Sequence, residues 1–501
     1  MGRILSNAAG LAFAKEDSRA VLPGSPTWYT LEPNNINSLG ADISTVARNP
    51  ISQDRQRRKG TIIDLDSAVE WEGDLTLDHL IHFMEALCFS TAANGDMVWR
   101  GANAASGGYT ISAATAAQGS KAIYAGAGAK TLVFARGYAL SANNGLKPLS
   151  ADLASSDTQI DVAGNSVETA PSNATVELAG VRCSTGDLDL DVTSGVGTLT
   201  SAADIADWST LGLSVGQYIH VGGLTSSEQF SAATGFARIT AIASGALTLD
   251  KLGAGMATDP GTGETVDILF GQFIRNVAVD HADFLEQYIQ FEATWPDLET
   301  GPADGYEYPE GNLCDSFTFT LPLTDKATMT AAFVGTDTPV PTTSRKTNAA
   351  TPVDPTQTGA FNTSADIARM RVTQVDETGI TTDFKSLSLT LSNNISPEKV
   401  LGTLGAQYVN YGNFEVGFEG QLVFTNSAVV QAIRENETLG LDFSLRNDDG
   451  GVYVEIPSMT LGGGDKEIPE NESVLINITG EAFNDATLGT SLGVSLFPAL
   501  P

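Results

Sequence analysis

The sequence is poor in the residues that metal, redox and disulfide sites require. It has 3 cysteines and 4 histidines in 501 residues, and Cys88, Cys183 and Cys314 stand far apart with no CxxC spacing. A disulfide framework, a redox pair or a zinc knuckle needs more cysteines or closer ones. We therefore expect no cofactor and no metal site.

Cations are also scarce. The chain has 27 Lys and Arg against 60 Asp and Glu, a formal net charge of -33. Because cations supply the affinity for a phosphate backbone, specific nucleic-acid binding is disfavoured. Residues 1–60 carry a net charge of +3, which leaves -36 on the rest of the chain. A basic segment on an acidic body favours pairing between subunits.

Long apolar runs and catalytic motifs are missing as well. No stretch approaches the roughly 18 to 20 apolar residues of a membrane helix, and residues 8–14 are too short for a signal peptide. No GxSxG, Walker loop, HExxH or GxGxxG motif stands in a strand–helix context in the sequence. We expect no membrane contact and no catalytic residues, so the protein is not predicted to be an enzyme.

What the chain has in abundance is glycine, 51 residues, with many Ala, Ser and Thr, a profile typical of short strands and turns. Between residues 63 and 72, apolar and acidic side chains alternate with a period of two, which predicts a strand with one wetted face. The apolar set is Ile63, Leu65, Val69 and Trp71; the acidic set is Asp64, Asp66, Glu70 and Glu72.

A helix should follow this strand. Asp74 or Thr76 can cap it. Its apolar residues recur every three or four positions, so that one stripe lies on a sheet. They are Leu77, Leu80, Ile81, Met84, Leu87 and Cys88.

The C-terminal part repeats this order. Phe414, Val416 and Phe418 alternate with Asn413, Glu415 and Glu419, and Ser427 or Asn426 can cap a helix with Val429, Val430 and Ile433. The sequence WEGDL from Trp71 parallels FEGQL from Phe418. The repeated order favours an internal duplication.

Changes of composition divide the chain. We predict an N-terminal arm (1–26), a first domain (27–335), a Pro/Thr-rich linker (336–365) and a second domain (366–501). Within the first domain, about residues 100–270 are rich in Gly, Ala, Ser and Thr with short strand-like pieces. Long structureless loops are uncommon, so this region is predicted to be an inserted β-rich fold.

Three groups of polar residues leave alternatives open. His79 and His82 could hold a metal if a third ligand were near, but a solvated or inter-subunit helix face is the preferred interpretation. Asp187 to Asp191 resembles the start of a calcium loop, yet the Gly at position six and the Glu at position twelve are missing, so an alternating strand face is preferred.

The third group is basic and consists of Arg55, Arg57, Arg58 and Lys59. Such a run could bind nucleic acid. Against the acidic background, a contact with an acidic neighbouring subunit is the better interpretation.

Three segments carry a resemblance to a known family. They are RRKGTIIDLDSAVEWEGDLTLDHLIHFMEAL near the front, YEYPEGNLCDSFTFTLPLTDKATMTAAFVG in the middle, and GGVYVEIPSMTLGGGDKEIPENESVLINITGEAF with SLGVSLFPALP at the end. In this order they resemble siphophage-type major tail tube proteins, over about half the chain.

The resemblance implies a mainly β fold, with two tandem tube domains of β-sandwich or barrel type, each with a flanking helix, and inserted small β modules similar to those that decorate tail exteriors. It implies a structural subunit of the virion tail, assembled in the host cytoplasm, whose rings stack into a hollow conduit for DNA ejection. A duplicated domain favours homotrimeric, pseudo-sixfold rings over hexameric rings. The implied partners are the protein itself, a tape measure protein, and tail terminator and baseplate proteins.

The acids of the two alternating strands are the best candidates for the wall of such a conduit. Duplex DNA carries one negative charge per roughly 1.7 Å and would be trapped by a cationic wall. We therefore predict a negative lumen past which DNA slides without specific binding. The residues predicted to line it are Asp64, Asp66, Glu70, Glu72, Glu415 and Glu419.

The alternative function is a β-rich surface protein that binds or degrades carbohydrate, such as a tail spike or an adhesin. A β-helical spike should show repeats of roughly 20 to 30 residues, and an adhesin should bring a signal peptide. Neither feature is found in the sequence, so the tube subunit is preferred.

Overall fold

The computed structural model describes residues 6–51, 53, 55–111, 130–153, 157–296, 305–346, 351–374, 383–425 and 427–501. Antiparallel β-sheets dominate these residues, and the mainly β class predicted from the composition is confirmed. The α-helices of the described part are α1 (Leu80–Cys88) and α2 (Ala428–Glu435). Short 3-10 helices cover Ser6–Ala8, Ser141–Asn143 and Trp208–Leu211.

The largest sheet has twelve strands and draws on both halves of the chain. Its strands are β3 (Asn35–Arg48), β4 (Arg58–Asp74), β18 (Phe273–Arg275), β21 (Leu313–Leu321), β22 (Thr328–Gly335), β23 (Ile367–Gln374), β24 (Phe384–Ser392), β27 (Glu415–Val423), β28 (Leu439–Asn447), β29 (Gly450–Glu467), β30 (Leu475–Ala482) and β31 (Gly493–Phe497).

A ten-stranded sheet lies in the inserted region. Its strands are β5 (Val98–Arg100), β8 (Lys130–Arg136), β9 (Gly145–Pro148), β11 (Thr175–Cys183), β12 (Leu188–Thr193), β13 (Val196–Ser201), β14 (Tyr218–Val221), β15 (Gly235–Ala243), β16 (Ala246–Asp250) and β17 (Val266–Leu269).

Three smaller sheets complete the fold. The first contains β1 (Gly10–Lys15), β2 (Trp28–Leu31), β19 (Ile289–Trp295) and β20 (Gly305–Glu307). The second contains β6 (Asn103–Ala105), β7 (Gly108–Thr110) and β10 (Gln159–Asp161), and the third pairs β25 (Ser396–Glu398) with β26 (Tyr408–Asn410). Strand β1 forms from residues of the predicted N-terminal arm.

The order of elements repeats. In the large sheet β3, β4, β22 and β21 lie side by side, and β24, β27, β30 and β29 continue it in the same order. Helix α1 follows β4 in the chain, as α2 follows β27. Outside these eight strands, β1 pairs with β19 as β23 pairs with β28. The structure thus confirms the tandem arrangement. We call β1, β3, β4, α1, β19, β21 and β22 unit 1, and β23, β24, β27, α2, β28, β29 and β30 unit 2.

The two units are joined by backbone pairing. Strands β21 and β24 are antiparallel, with Ser316 opposite Ser392 at one end of the contact and Leu321 opposite Leu387 at the other. One hydrophobic core continues beneath the sheet in both units and contains α1 and part of α2. Since neither the sheet nor the core is interrupted, the units form one body.

Strand β4 shows the predicted alternation over most of its length. Leu65, Val69 and Trp71 are buried, but Ile63 is 58% exposed, so its predicted burial is wrong. The reason is that β22 covers β4 only from Ser67 onward, and the earlier part of β4 pairs with β3 alone. This part extends beyond the core.

Two further sequence predictions need correction. Helix α1 begins at Leu80, after His79, and neither Asp74 nor Thr76 caps it. Ser427 precedes α2 but makes no side-chain cap, and Asn426 lies outside the described residues.

The inserted region has a hydrophobic core of its own, built between residues 97 and 270. It is attached to unit 2 through buried polar groups. Arg238 Nη1 lies 2.6 Å from Oε1 of Glu455 on β29, and the same guanidinium contacts Asp250 at 2.6 Å. Tyr218 donates to Glu455 at 3.1 Å and stacks on Tyr453 with ring centroids 3.8 Å apart. The insertion is therefore held rigidly against β29.

We predict that Arg238→Met lowers the free energy of unfolding by about 3–5 kcal/mol, because it leaves the carboxylate of Glu455 buried without its cation. The double variant Arg238→Met/Glu455→Met should recover much of this loss, since the buried carboxylate is then removed and only Asp250, whose side chain is 25% exposed, loses its cation. Urea unfolding at pH 8 measures both, above the pKa of about 7 to which burial raises Glu455. Equal stability of the wild type and the single variant would contradict the role assigned to this contact.

Candidate functional site

The outer parts of β3 and β4 form a two-stranded arm. Asp42 faces Asp66 near its base and Arg48 faces Arg58 near its end. Along the arm Ile43, Val46, Ile62 and Ile63 are each at least half exposed, and Ile51 in the connecting loop is fully exposed. An isolated hairpin is marginally stable in water, and contiguous exposed apolar side chains typically mark a protein contact. The arm is therefore a candidate surface for another subunit.

The basic run predicted as a contact lies at the end of this arm. Arg55, Arg57, Arg58 and Lys59 are all exposed, in the loop and the first residues of β4. The structure thus brings the four cations together beside exposed isoleucines. Sequence reasoning located the cations but not the arm that carries them.

The predicted wall acids of unit 1 lie on one face of β4. Lys399, in the loop between β25 and β26, donates to Asp64 and Asp66 at 2.6 Å each, and this hydrogen bond lowers the pKa of Asp64. Glu70 accepts from Asn37 at 2.9 Å. Lys399 was not anticipated from the sequence, because only the fold brings residues 64 and 399 together.

The acids of unit 2 lie on the same face of the same sheet. Directly paired residues of an antiparallel sheet point to one side. One row of such pairs leads from β4 to β27 and consists of Glu72, Thr330, Thr318, Thr390 and Gly417. Glu415 and Glu419 flank the end of this row at two-residue spacing and are exposed. All six predicted acids thus share one face, which we call the acidic face.

The opposite side of the sheet is covered. The buried side chains between the acids, such as Val69, Trp71, Val416 and Phe418, belong to the shared core, together with the buried residues of both helices. On the acidic face the neighbouring positions are Ser and Thr, as at Thr320, which is exposed. The sheet is therefore apolar on the side of the helices and polar on the other side.

His79 is buried and the His82 side chain is only 15% exposed, so the preferred interpretation of a solvated helix face is wrong. His79 is 4% exposed and adopts a left-handed conformation at the N-cap of α1, with φ 59°. The His79 and His82 rings stack with centroids 6.2 Å apart. Burial holds the pKa of His79 well below its usual range and lowers that of His82 to about 4. Both imidazoles are neutral at pH 7.

A metal site at these histidines finds no support in the geometry. Among the described residues, one group of three His, Cys, Asp or Glu side chains has its ligand atoms all within 4.8 Å, namely Cys183, Asp187 and Asp204. Burial raises the pKa of the Cys183 thiol, which keeps it protonated.

The acids of that group already have donors. Asp187 accepts from the backbone N–H of Ala203 and Asp204 at 2.8 and 3.0 Å. In β12 the side chains alternate between buried and exposed, with Asp189 and Asp191 exposed. The alternating strand face preferred over a calcium loop is confirmed for Asp189 and Asp191, whereas Asp187 precedes the strand and is buried.

Neither helix in the described part of the chain is long and apolar enough to span a bilayer.

A family model described as phage tail tube protein matches the chain over residues 6–203 and again over residues 186–482. No curated protein matches the chain.

Proposed function

The chain belongs to the phage tail tube protein family, and on this basis we propose that its subunits form rings that stack into a hollow conduit for DNA ejection into the host. In this role the protein acts as a structural component of the virion tail and not as an enzyme. Assembly takes place in the host cytoplasm. The tube meets a tape measure protein inside, and tail terminator and baseplate proteins at its ends.

The observation that carries this proposal is the junction between the two units. The units already pair side by side through β21 and β24. If neighbouring subunits join as the units do, the equivalent strands, β29 of one chain and β3 of the next, form the contact. Strand β3 is the last strand of the sheet, and residues 461–467 of β29 pair with β30 on one side only among the described strands. Unpaired edges are templates for pairing with another chain.

The internal repeat also gives the register. Glu72 and Glu419 occupy matching positions in WEG and FEG. Glu72 and Thr318 of β21 lie in one row of directly paired residues, with one residue of β22 between them. Glu419 and Gly462 of β29 lie in the equivalent row of unit 2, with one residue of β30 between them. Gly462 therefore corresponds to Thr318.

The partner strand is mapped in the same way. Thr390 of β24, the partner of Thr318, also pairs with Gly417 of β27. The corresponding residue of β4 is Glu70, and its partner on β3 is Ser38. Gly462 of one subunit is therefore expected to lie opposite Ser38 of the next. Each chain supplies two units, so we favour three chains for a pseudo-sixfold ring over a hexamer.

Closure of such a ring supports the acidic face as the lumen wall. The two helices, strands β1 and β19 of unit 1, and strands β23 and β28 of unit 2 contribute to the common core on the other side of the acidic strands. When a sheet closes into a barrel, the elements that cover one of its faces fit better on the outside, because the circumference is larger there. The uncovered face, with Asp64, Asp66, Glu70, Glu72, Glu415 and Glu419, then turns inward, where negative charge repels DNA.

Electron microscopy of the assembled protein tests the whole proposal. We expect hollow tubes of stacked rings with three chains per ring and a lumen of net negative charge that includes several of the six acids. Discrete monomers or elongated trimers would contradict the conduit. A lumen lined mainly by Lys and Arg would contradict the predicted charge, and all six acids on the outer surface would contradict the assignment of residues.

The arm gives a prediction of its own. Replacing Arg55, Arg57 and Arg58 with Ser should slow or abolish polymerisation, because the exposed cations steer and register an acidic neighbour. The effect should mimic that of high salt on the wild type. Light scattering follows polymerisation, and circular dichroism should stay unchanged.

The control for the arm removes the same charge elsewhere, by Lys130→Ser, Lys147→Ser and Arg434→Ser, and should polymerise normally. Normal tubes from the arm variant would contradict the contact. Equal defects in both triple variants would show that net charge alone governs assembly.

The register predicts a cross-link between subunits. Ser38→Cys combined with Gly462→Cys should give disulfide-linked multimers on oxidation of assembled tubes, visible by non-reducing electrophoresis. Native thiols give little background, because Cys88, Cys183 and Cys314 are buried. Either single variant should give no ladder.

The junction inside the chain is the positive control. Thr318→Cys with Thr390→Cys should cross-link within one chain even in monomers, because these residues are direct partners. If this pair forms and the Ser38/Gly462 pair does not form in assembled tubes, the proposed edge contact is wrong.

A further inference from the structure

A cavity of about 320 Å³ lies at the N-terminal end of α1. Five parts of the chain meet there: strand β2, the residues before α1 with its first turn, strands of the insertion, the predicted linker and the C-terminal strand. The polar residues that line it include Tyr29, Asp78, His79, His82, Arg100, Arg136, Glu177, Thr356 and Thr358. The described protein atoms leave several of these groups without a partner.

The imidazoles are the clearest case. All four ring nitrogens of His79 and His82 are buried and make no hydrogen bond of up to 3.5 Å among the described residues, although Oε2 of Glu85 lies 3.8 Å from Nδ1 of His82. Each neutral ring carries one N–H donor and one acceptor. Unsatisfied buried polar groups cost about 1–3 kcal/mol each, so a ligand that accepts from both rings would be favoured.

The helix end adds further donors. The first N–H groups of a helix need acceptors from outside it, and α1 has no side-chain cap. Asp78 immediately precedes the cap residue, but its carboxylate already accepts hydrogen bonds from the linker. It accepts from the backbone N–H of Thr356 at 2.9 Å and of Thr358 at 3.0 Å. The carboxylate of Asp78, which also lines the cavity, is thus held by the linker, and no side chain caps the positive end of α1.

The two arginines that line the cavity, Arg136 and Arg100, differ in their partners. Arg136 donates to the carbonyl oxygens of Asp449 and Pro498 at 2.7 and 3.2 Å, and lies 3.8 Å from Glu177. Arg100, in contrast, packs over the ring of Tyr29 at 5.4 Å and forms no ion pair in the described part of the structure. It stands close enough to both histidines to disfavour their protonation.

We propose that this cavity binds a small tetrahedral oxyanion of the phosphate or sulfate class. Arg100 supplies the charge, His79 and His82 donate from their ring N–H groups, and the first turn of α1 donates from its backbone, as helix N-termini do for anions. The volume leaves room for ordered water beside the ion.

Binding would link the five parts of the chain that meet at the cavity. A ligand that binds only the folded state stabilises it in proportion to its occupancy. The oxyanion would therefore hold the insertion and the linker against α1, independently of whether the protein assembles into tubes.

Titration calorimetry of the full chain with inorganic phosphate at pH 7 and constant ionic strength tests this site. We expect one site per chain and a rise in melting temperature with phosphate concentration. Arg100→Gln should weaken binding about tenfold or more, since it removes a charged donor. His82→Gln, which keeps a donor but changes its geometry, should weaken it less. Arg434→Gln removes a cation outside the cavity and should leave affinity unchanged.

Sulfate and acetate serve as comparison ligands. Sulfate should compete with phosphate, and acetate should not. Absence of phosphate binding to the wild type would overturn the proposal and mean that water alone satisfies the histidines. Equal losses in Arg100→Gln and Arg434→Gln would overturn the site. Preferential binding of acetate would overturn the tetrahedral class.

Discussion

Backbone pairing between β21 and β24 is the constraint on which the rest of the structure depends. It makes one sheet of two units, so that residues distant in sequence, such as Glu72 and Glu419, end on the same face. A one-residue slip of this pairing would turn the acids of one unit into the core. The alternation of large apolar and polar side chains on both strands prevents such a slip, because every inward position is filled by residues such as Phe317 and Leu389.

The same constraint explains why the insertion has a fixed position relative to the sheet. Its strands leave and re-enter unit 1, yet its buried contacts are with β29 of unit 2. Buried charges such as Arg238 and Glu455 tolerate little displacement, since separation would leave each charge desolvated without its partner. The insertion thus reinforces the fixed relation between the units that the sheet establishes.

Period-two patterns and the Glu-Gly repeat were enough to predict the class of fold, the duplication and the acidic faces, because these depend on local alternation. The limits of the core were not predictable in this way. Ile63 continues the alternating pattern of β4, but its exposure depends on where the neighbouring strand β22 ends, and this is set by the tertiary structure. The burial of His79, the ion pairs of Lys399 and the contacts of Arg238 likewise depend on segments far away in sequence.

Because both units belong to one chain, the structures of their hairpins can differ. The arm of unit 1 extends over β3 and β4, whereas its counterpart in unit 2 is the short pair β25 and β26. Lys399 of the short pair binds Asp64 and Asp66 at the base of the long arm, so the two hairpins support each other. In the proposed ring of three chains, long and short hairpins would alternate. Only a duplicated chain can encode that alternation, because six identical subunits would carry six identical arms.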